Sequence, residues 1–279
     1  MNFIQRTDIR RMIDSGVFPG RVNWLGTDKK SRFQDNLRRD VLGNQIQEFV
    51  GRTLNYTLNS EGFRAPEFTD VTWSDSVAVI GCSMVFGDGL DDGETLTAQL
   101  SEIIGRPVIN LGITGASSEL CLYNSQILRD HYGEPAQLIV IWPTVDRITE
   151  FHAQGCRCHG VWLTRDSEAI ARQPRLYQQI RSQAENYGDL ADIARWTEVY
   201  KTVNAEARHR DFSHVMNTQL ISAIWGSGLK QYTWSPATQA LTGCELLTWE
   251  PGDLARDLIH PGRATIRQWA EQIAGSLQP

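Results

Sequence analysis

Val77-Ala78-Val79-Ile80-Gly81-Cys82-Ser83-Met84-Val85-Phe86-Gly87-Asp88-Gly89 decides the reading of this chain. Its opening is an apolar, β-branched run of the kind that forms a buried strand. The run breaks at Gly81, Ser83 follows two positions later, and two more glycines precede a segment with apolar residues at helical spacing, Leu96, Leu100, Ile103 and Ile104. A strand, a tight turn and a helix in that order place the turn at the carboxyl edge of a parallel sheet, where open α/β sheets bind ligands. Ser83 in such a turn either caps a helix or presents a hydroxyl for chemistry.

Outward from this stretch the pattern keeps alternating. The sequence predicts strands at Val77–Ile80, Pro107–Leu111, Leu138–Trp142, Leu229–Trp234 and Glu245–Thr248. It predicts helices over 94–104, over 116–132 with Leu120, Tyr123, Ile127 and Leu128 inward, and over 263–275 with Ile266, Trp269 and Ile273 inward. Ser117 or Ser118 stands near the cap of the second. Alternation of this kind implies a parallel sheet with right-handed crossovers. The fold class is therefore α/β, a three-layer α/β/α sandwich with a flavodoxin-like parallel sheet of about five strands. Roughly eighty residues separate strands three and four, well beyond an ordinary crossover. They read as a helical insertion at about 145–228, with helices over 189–207 and over 212–225, the latter turning Val215, Leu220, Ile221 and Ile224 inward. Opening over the sheet edge, the insertion would cap a substrate pocket. Trp142, Trp162, Trp196 and Trp225 belong to it or border it, either as core or as rings that stack on sugars.

Residues 1–70 read as an N-terminal extension packed on the main domain, 71–279. A helix over 35–50 would bring Leu37, Val41, Leu42, Ile46 and Phe49 to one side. Asn59 and Arg64, in the Gly62-Phe63-Arg64 turn, either touch substrate or hold the turn. The acidic run Asp88, Asp91, Asp92, Glu94 lacks the spacing of a calcium loop, and acids on a solvated, helix-capping loop account for it.

Near the other end, Asp257-Leu258-Ile259-His260-Pro261-Gly262 puts an acid three residues before a histidine at the start of the last helix. The carboxylate can fix one ring nitrogen as N–H and leave the other to take a proton from a serine. Together with Gly81-Cys82-Ser83 and Asn110-Leu111-Gly112-Ile113-Thr114-Gly115, this stretch resembles the SGNH (GDSL-type) hydrolase superfamily. Asn59-Ser60-Glu61-Gly62-Phe63-Arg64 resembles the lead-in of some of its branches. The resemblance runs from about Asn59 to the last helix, apart from the middle insertion.

That resemblance implies a serine esterase with Ser83, Asp257 and His260 as its triad, and backbone N–H groups of Ser83 and Gly112 as oxyanion donors. Two departures accompany it. Cys82 stands where the family's name-giving Asp does. Leu138–Trp142 runs into Pro143-Thr144-Val145-Asp146-Arg147 and supplies no block-three Asn, so Thr144, Asn110 or Arg147 must stand in for that donor, or the site is weakened. Loss of one such donor typically costs about 10²–10³ in rate. The substrate expected from the family is a short-chain, for instance O-acetyl, ester on a small molecule or glycan. A catalytically silent module that binds a glycan or serves an assembly is the alternative.

Composition narrows the rest. The 279 residues are 41% hydrophobic and 22% charged, ordinary for a globular protein, and the net charge of -6 argues against nucleic acid as a partner. There is no apolar run long enough to span a membrane. An N-terminus without an apolar h-region, with an odd count of five cysteines, gives the expectation of a cytoplasmic protein with free thiols. Cys82, Cys121 and Cys244 read as packing residues. His152, Cys156, Cys158 and His159 form a cluster with a zinc-like donor set, but Cys-x-Cys-His strains a tetrahedral shell. A zinc-dependent hydrolase is therefore a third reading, and the expectation is no metal and no cofactor.

Overall fold

The computed structural model describes residues 2–38, 44–160, 198, 202, 207–250 and 252–277. Its centre is a parallel sheet of β3 (Val77–Gly81), β4 (Val108–Gly112), β5 (Gln137–Trp142), β8 (Leu229–Thr233) and β9 (Glu245–Leu246). Across the sheet the order is β4-β3-β5-β8-β9, which is 2-1-3-4-5 in order of appearance and hence flavodoxin-like. All five residues of β3 are buried, as are the last five of β5. Covered on both faces, such strands need no polar alternation, which is why they read as continuous apolar runs. Each fully buried Val, Leu or Ile contributes roughly 1.5–3 kcal/mol, so this double burial outweighs any local strand propensity.

Helices α5 (Leu96–Ile104) and α9 (Arg263–Leu277) pack on one another over one face. On the other lie α6 (Ser118–Ile127), α7 (Ala207–Trp225) and α8 (Pro236–Thr242), with α7 against both of its neighbours. Ile266, Trp269 and Ile273 of α9 are buried as expected. Two faces differ from expectation. Tyr123 and Leu220 are exposed, at 43% and 45%. On α7 the buried positions are His214, Asn217, Thr218 and Ile221, because Asn217 Nδ2 donates to Ser118 Oγ (2.9 Å) and turns a polar face toward α6. The expected 116–132 helix ends its regular part at Ile127 and continues through a wider, π-helical turn, Leu128–Tyr132.

The long insertion also departs from a purely helical reading. It opens with an antiparallel hairpin, β6 (Ile148–His152) and β7 (Gly155–His159). Its last helix, α7, is layered on α6 and leads into β8. The expected helix over 189–207 falls almost wholly outside the described residues, as do Trp162 and Trp196.

The N-terminal segment is tied down at several points. Phe3 stacks on Tyr132 with ring centroids 4.5 Å apart and meets Phe63 and Phe68 edge-on. The Asn124 side chain of α6 exchanges two hydrogen bonds with the Ile4 backbone, each 2.9 Å. After α1 (Thr7–Asp14), β1 (Gly20–Val22) pairs antiparallel with β2 (Tyr56–Leu58). The expected 35–50 helix is represented by the end of α2 (Lys30–Arg38) and by α3 (Asn44–Gln47), with Ile46 and Phe49 buried. Val41 and Leu42 lie outside the described residues. No described helix is long and apolar enough to cross a membrane.

Candidate active site

The carboxyl ends of β3 and β4 carry a glycine each, Gly81 and Gly112, aligned as register partners. The reason is the short helix α4 (Ser83–Phe86), which lies directly on them. A Cβ on Gly112 would fall on the Val85–Phe86 backbone, 2.8 Å from the Val85 carbonyl carbon and 2.9 Å from Phe86 Cα. On Gly81 it would sit 2.8 Å from the Ile141 carbonyl oxygen. Cys82 is the extended residue before the helix, and Ser83 is its first helical residue. Strand and turn thus hold the Ser83 hydroxyl at the sheet edge, buried to 3% exposure.

The Asp257–His260 turn reaches the same place. Asp257 Oδ1 accepts the backbone N–H groups of Ile259 (3.0 Å) and His260 (3.1 Å), folding the carboxylate back over its own turn. The turn requires Leu258 at φ 55°, a left-handed conformation that costs a bulky L-residue about 1–2 kcal/mol. Asp257 Oδ2 lies 2.6 Å from His260 Nδ1, and His260 Nε2 lies 2.8 Å from Ser83 Oγ. Ser83, His260 and Asp257, 177 and three residues apart in sequence, form one continuous hydrogen-bonded chain. Burial opposes the charged imidazolium, but the Asp257 charge and hydrogen bond outweigh it and raise the His260 pKa. Burial likewise opposes the Asp257 carboxylate, and there His260, Thr27 and the turn N–H groups win, holding it well below the usual range.

The expected oxyanion donors fare differently. Gly112 N–H is already committed to Asn110 Oδ1 (2.9 Å), and Asn110 Nδ2 donates to Val85 O (2.8 Å). Asn110 is therefore a staple between β4 and α4. Thr144 and Arg147 follow β5, half-buried on the loop to β6. The carbonyls at and just after the end of β5 are held by Thr233 Oγ1 on Trp142 O and Thr238 Oγ1 on Pro143 O, both 3.2 Å.

Several residues at the site had no signal in the sequence. Thr27, from the N-terminal segment, places its hydroxyl 2.5 Å from Asp257 Oδ2 and 3.0 Å from Asp88 Oδ2. Asp88 is wholly buried and accepts the Thr114 hydroxyl at 3.0 Å, so it is not a solvated capping acid. Its neighbours Asp91 and Glu94 do cap, in a reciprocal box over 91–94. One residue before Asp257, Arg256 forms a buried fork with Asp28 (2.6 and 3.0 Å) and donates to Asn23 O (2.6 Å). Its guanidinium carbon sits 3.7 Å above the Trp24 ring. Arg64 is also buried and donates to the carbonyls of Asn55, Phe86, Gly87 and Leu90, so it holds the loop after α4, and Asn59 braces its own turn.

The cysteine-histidine cluster does not converge. Strand alternation puts Cys156 and Cys158 on one face of β7 and His159 on the other, beside Glu150. Among the described residues the one group with metal-ligand proximity is Asp88, Asp257 and His260. There the Asp257 and His260 atoms bond each other, and the Thr27 hydroxyl lies between the carboxylates.

No protein-family model and no curated protein matches the chain. Among solved structures it is similar to TesA, at 16% identity over 73% of this chain and 98% of that one, with a TM-score of 0.35. It is similar to a Corynascus thermopiles carbohydrate esterase family 2 enzyme with a carbohydrate-binding domain, at 13% identity over 72% of this chain and 64% of that one (TM-score 0.34). A third, a protein from Desulfitobacterium hafniense DCB-2 named for the G-D-S-L lipolytic family, is 12% identical over 73% and 99% of the two chains (TM-score 0.32).

Proposed function

We propose that this chain is a serine-dependent ester hydrolase of SGNH type. The observation that carries the reading is the unbroken path from Asp257 through His260 to Ser83, with contacts of 2.6 and 2.8 Å. A neutral His260 with its proton on Nδ1 presents a lone pair at Nε2 to the serine hydroxyl. As Ser83 Oγ attacks the ester carbonyl, its proton passes to Nε2, and Asp257 stabilises the imidazolium without taking the proton. His260 then protonates the departing alcohol. Water, deprotonated by the same nitrogen, releases the acid from the acyl-serine.

The oxyanion needs donors pointing away from the sheet. Ser83 N–H, in the first turn of α4, has no acceptor within its helix. With Gly112 committed to Asn110, the second donor falls to the loop beyond it. Gly115 is the candidate: its φ of 83° sits next to Thr114, whose hydroxyl is anchored on Asp88. Thr144 and Arg147 remain the candidates at the end of β5. A short acyl ester on a small molecule or carbohydrate is the proposed substrate, as the motif resemblance implies.

The absence of an Asn after β5 and the commitment of Gly112 favour a second reading, a silent module that keeps the triad geometry without turnover. A fluorophosphonate probe separates the two. Labelling of the wild type that is lost in Ser83→Ala supports the esterase. A folded wild type that stays unlabelled, and is inert toward p-nitrophenyl acetate, overturns it.

A further inference from the structure

We infer that Asp88 is a protonated acid in the resting site and that Thr27 passes its hydrogen bond on to Asp257, making both of them positioning residues for the catalytic carboxylate. This rests on the esterase reading above. The Thr27 hydroxyl has one proton and lies between two carboxyl oxygens, Asp257 Oδ2 at 2.5 Å and Asp88 Oδ2 at 3.0 Å. The shorter contact takes the proton, since a short O–H···O contact marks a bond to an ionised acceptor. A lone pair of the Thr27 hydroxyl then faces Asp88 Oδ2 at 3.0 Å, and that contact is attractive only if Asp88 supplies the hydrogen, the remaining lone pair of Oδ2 accepting the longer Thr27 backbone N–H contact at 3.4 Å.

The other Asp88 oxygen accepts from Thr114 Oγ1 at 3.0 Å, so the acid needs a single proton and has a place for it. The groups facing Asp88 agree. Asp257 is a second anion beside it, held ionised by four hydrogen bonds, and two adjacent buried carboxylates do not both ionise readily. Arg32, Tyr56 and His260 are the remaining titratable groups that sense its charge. Burial raises the Asp88 pKa first of all, and the nearby Asp257 charge raises it further, against His260. No solvent reaches the carboxyl, and Gly26 is packed so closely that a Cβ there would lie 2.8 Å from Oδ1.

The arrangement is Asp88 to Thr27 to Asp257, with the arrow of donation running toward the triad. It fixes which Asp257 oxygen faces His260 and leaves the net charge of the pair at minus one. The test compares Asp88→Asn with Asp88→Ala, and Thr27→Ser with Thr27→Val, by the pH profile of kcat/KM on p-nitrophenyl acetate. An asparagine can donate from Nδ2 to Thr27 and accept Thr114 at Oδ1, so Asp88→Asn should recover at least tenfold of what Asp88→Ala loses, with the acid limb unmoved. Thr27→Val should lose tenfold or more in kcat and shift the acid limb upward, and Thr27→Ser should reverse both.

An Asp88→Asn enzyme as impaired as Asp88→Ala, or one whose acid limb drops to lower pH, would mean that Asp88 acts as an anion, and the inference fails. Stoichiometric divalent metal in the purified protein would also overturn it, since an ion would then hold the two carboxylates. Infrared spectroscopy decides the matter without turnover. The unmutated protein should show a protonated-carboxyl C=O band that Asp88→Asn removes, and a wild type without that band sinks the inference. An unlabelled wild type in the fluorophosphonate assay sinks the esterase reading alone, and the infrared result still stands. If the Asp88 variants do not fold, the Thr27 pair carries the test.

Discussion

Arg256→Met is the perturbation that most directly links the fold to the site. Arg256 and Asp28 are 1% and 0% exposed, and the methionine keeps the stem volume while removing every donor. Asp28 would retain the Tyr56 hydroxyl at 2.6 Å but lose the fork. Burial then pushes its pKa up unopposed by the guanidinium. A buried acid can escape its charge by taking a proton. At pH 7, moving from an ordinary pKa of about 3.9 costs at most about 1.36 kcal/mol per unit, or roughly 4 kcal/mol. That ceiling agrees with the 3–5 kcal/mol typical of breaking a buried pair from one side. The sign follows from linkage. The unfolded chain releases the Asp28 proton before the folded variant does, so the variant loses stability as pH rises above about 3.9 and regains it on acidification. The deficit relative to wild type should therefore shrink to about 1–2 kcal/mol near pH 5. Urea titrations of both proteins at pH 7 and pH 5 measure this, and adding Asp28→Asn should erase the pH dependence. A deficit under 1 kcal/mol at pH 7, or one that fails to shrink at pH 5, refutes the reasoning.

The remaining predictions concern pH and packing. With His260 raised by Asp257, the acid limb of wild-type kcat/KM should have its midpoint above the ordinary histidine value of about 6.5; a midpoint below it would place burial over charge. Gly112→Ala should destabilise the fold by about 1–3 kcal/mol and lower kcat, because the Val85–Phe86 backbone has to move and α4 carries Ser83; a crystal structure with α4 in place would contradict this. Burial pushes His159 and His214 down to about 4, so the unfolded chain binds those protons first and stability falls as pH drops from about 6.5 toward 4. His214→Phe should flatten that fall in thermal melts, since His214 Nε2 has no hydrogen-bond partner among the described residues.

What the sequence disclosed follows from how local each signal is. Of the five strands, β3 and β5 were the most legible because doubly covered strands carry uninterrupted apolar runs, as Val77–Ile80 and Leu138–Trp142 do. Ser83 and the Asp257–His260 pair were legible because each sits in a short motif whose internal geometry is self-contained. Thr27 and Asp88 had no such mark: the contacts that give them meaning span 61 and 230 residues, and a threonine in a loop has no distinguishing pattern. The β6–β7 hairpin was hidden because its buried positions include Thr149, Cys156 and His159 instead of a β-branched run. Gly112 shows a subtler limit. Its position at the strand end was right, but where its N–H points depends on the neighbouring Asn110 side chain, which spacing does not reveal. Leu220 misled because apolar periodicity assigns the inner face to hydrophobes, whereas Asn217 had a buried partner in Ser118.

The N-terminal segment is where these threads meet. Asp257 stands between two other buried acids, Asp28 and Asp88, and three carboxylates so close would destabilise any fold that left them all charged. Residues 23–28 separate them by two different means. Asp28 is matched by a cation, the Arg256 guanidinium, held over Trp24. On the inference above, Asp88 is matched by hydroxyls: as a neutral acid it donates to Thr27 and accepts from Thr114. Asp257 is the one carboxylate of the three hydrogen-bonded to His260. An anion that already accepts from Thr27, Ile259 and His260 N–H has little remaining appetite for the imidazole proton. That is the property a triad carboxylate needs: it must stabilise the imidazolium through charge and leave the proton on the ring. In the proposed esterase, the N-terminal segment thereby sets the basicity of the His260 imidazole through Thr27 and Asp257.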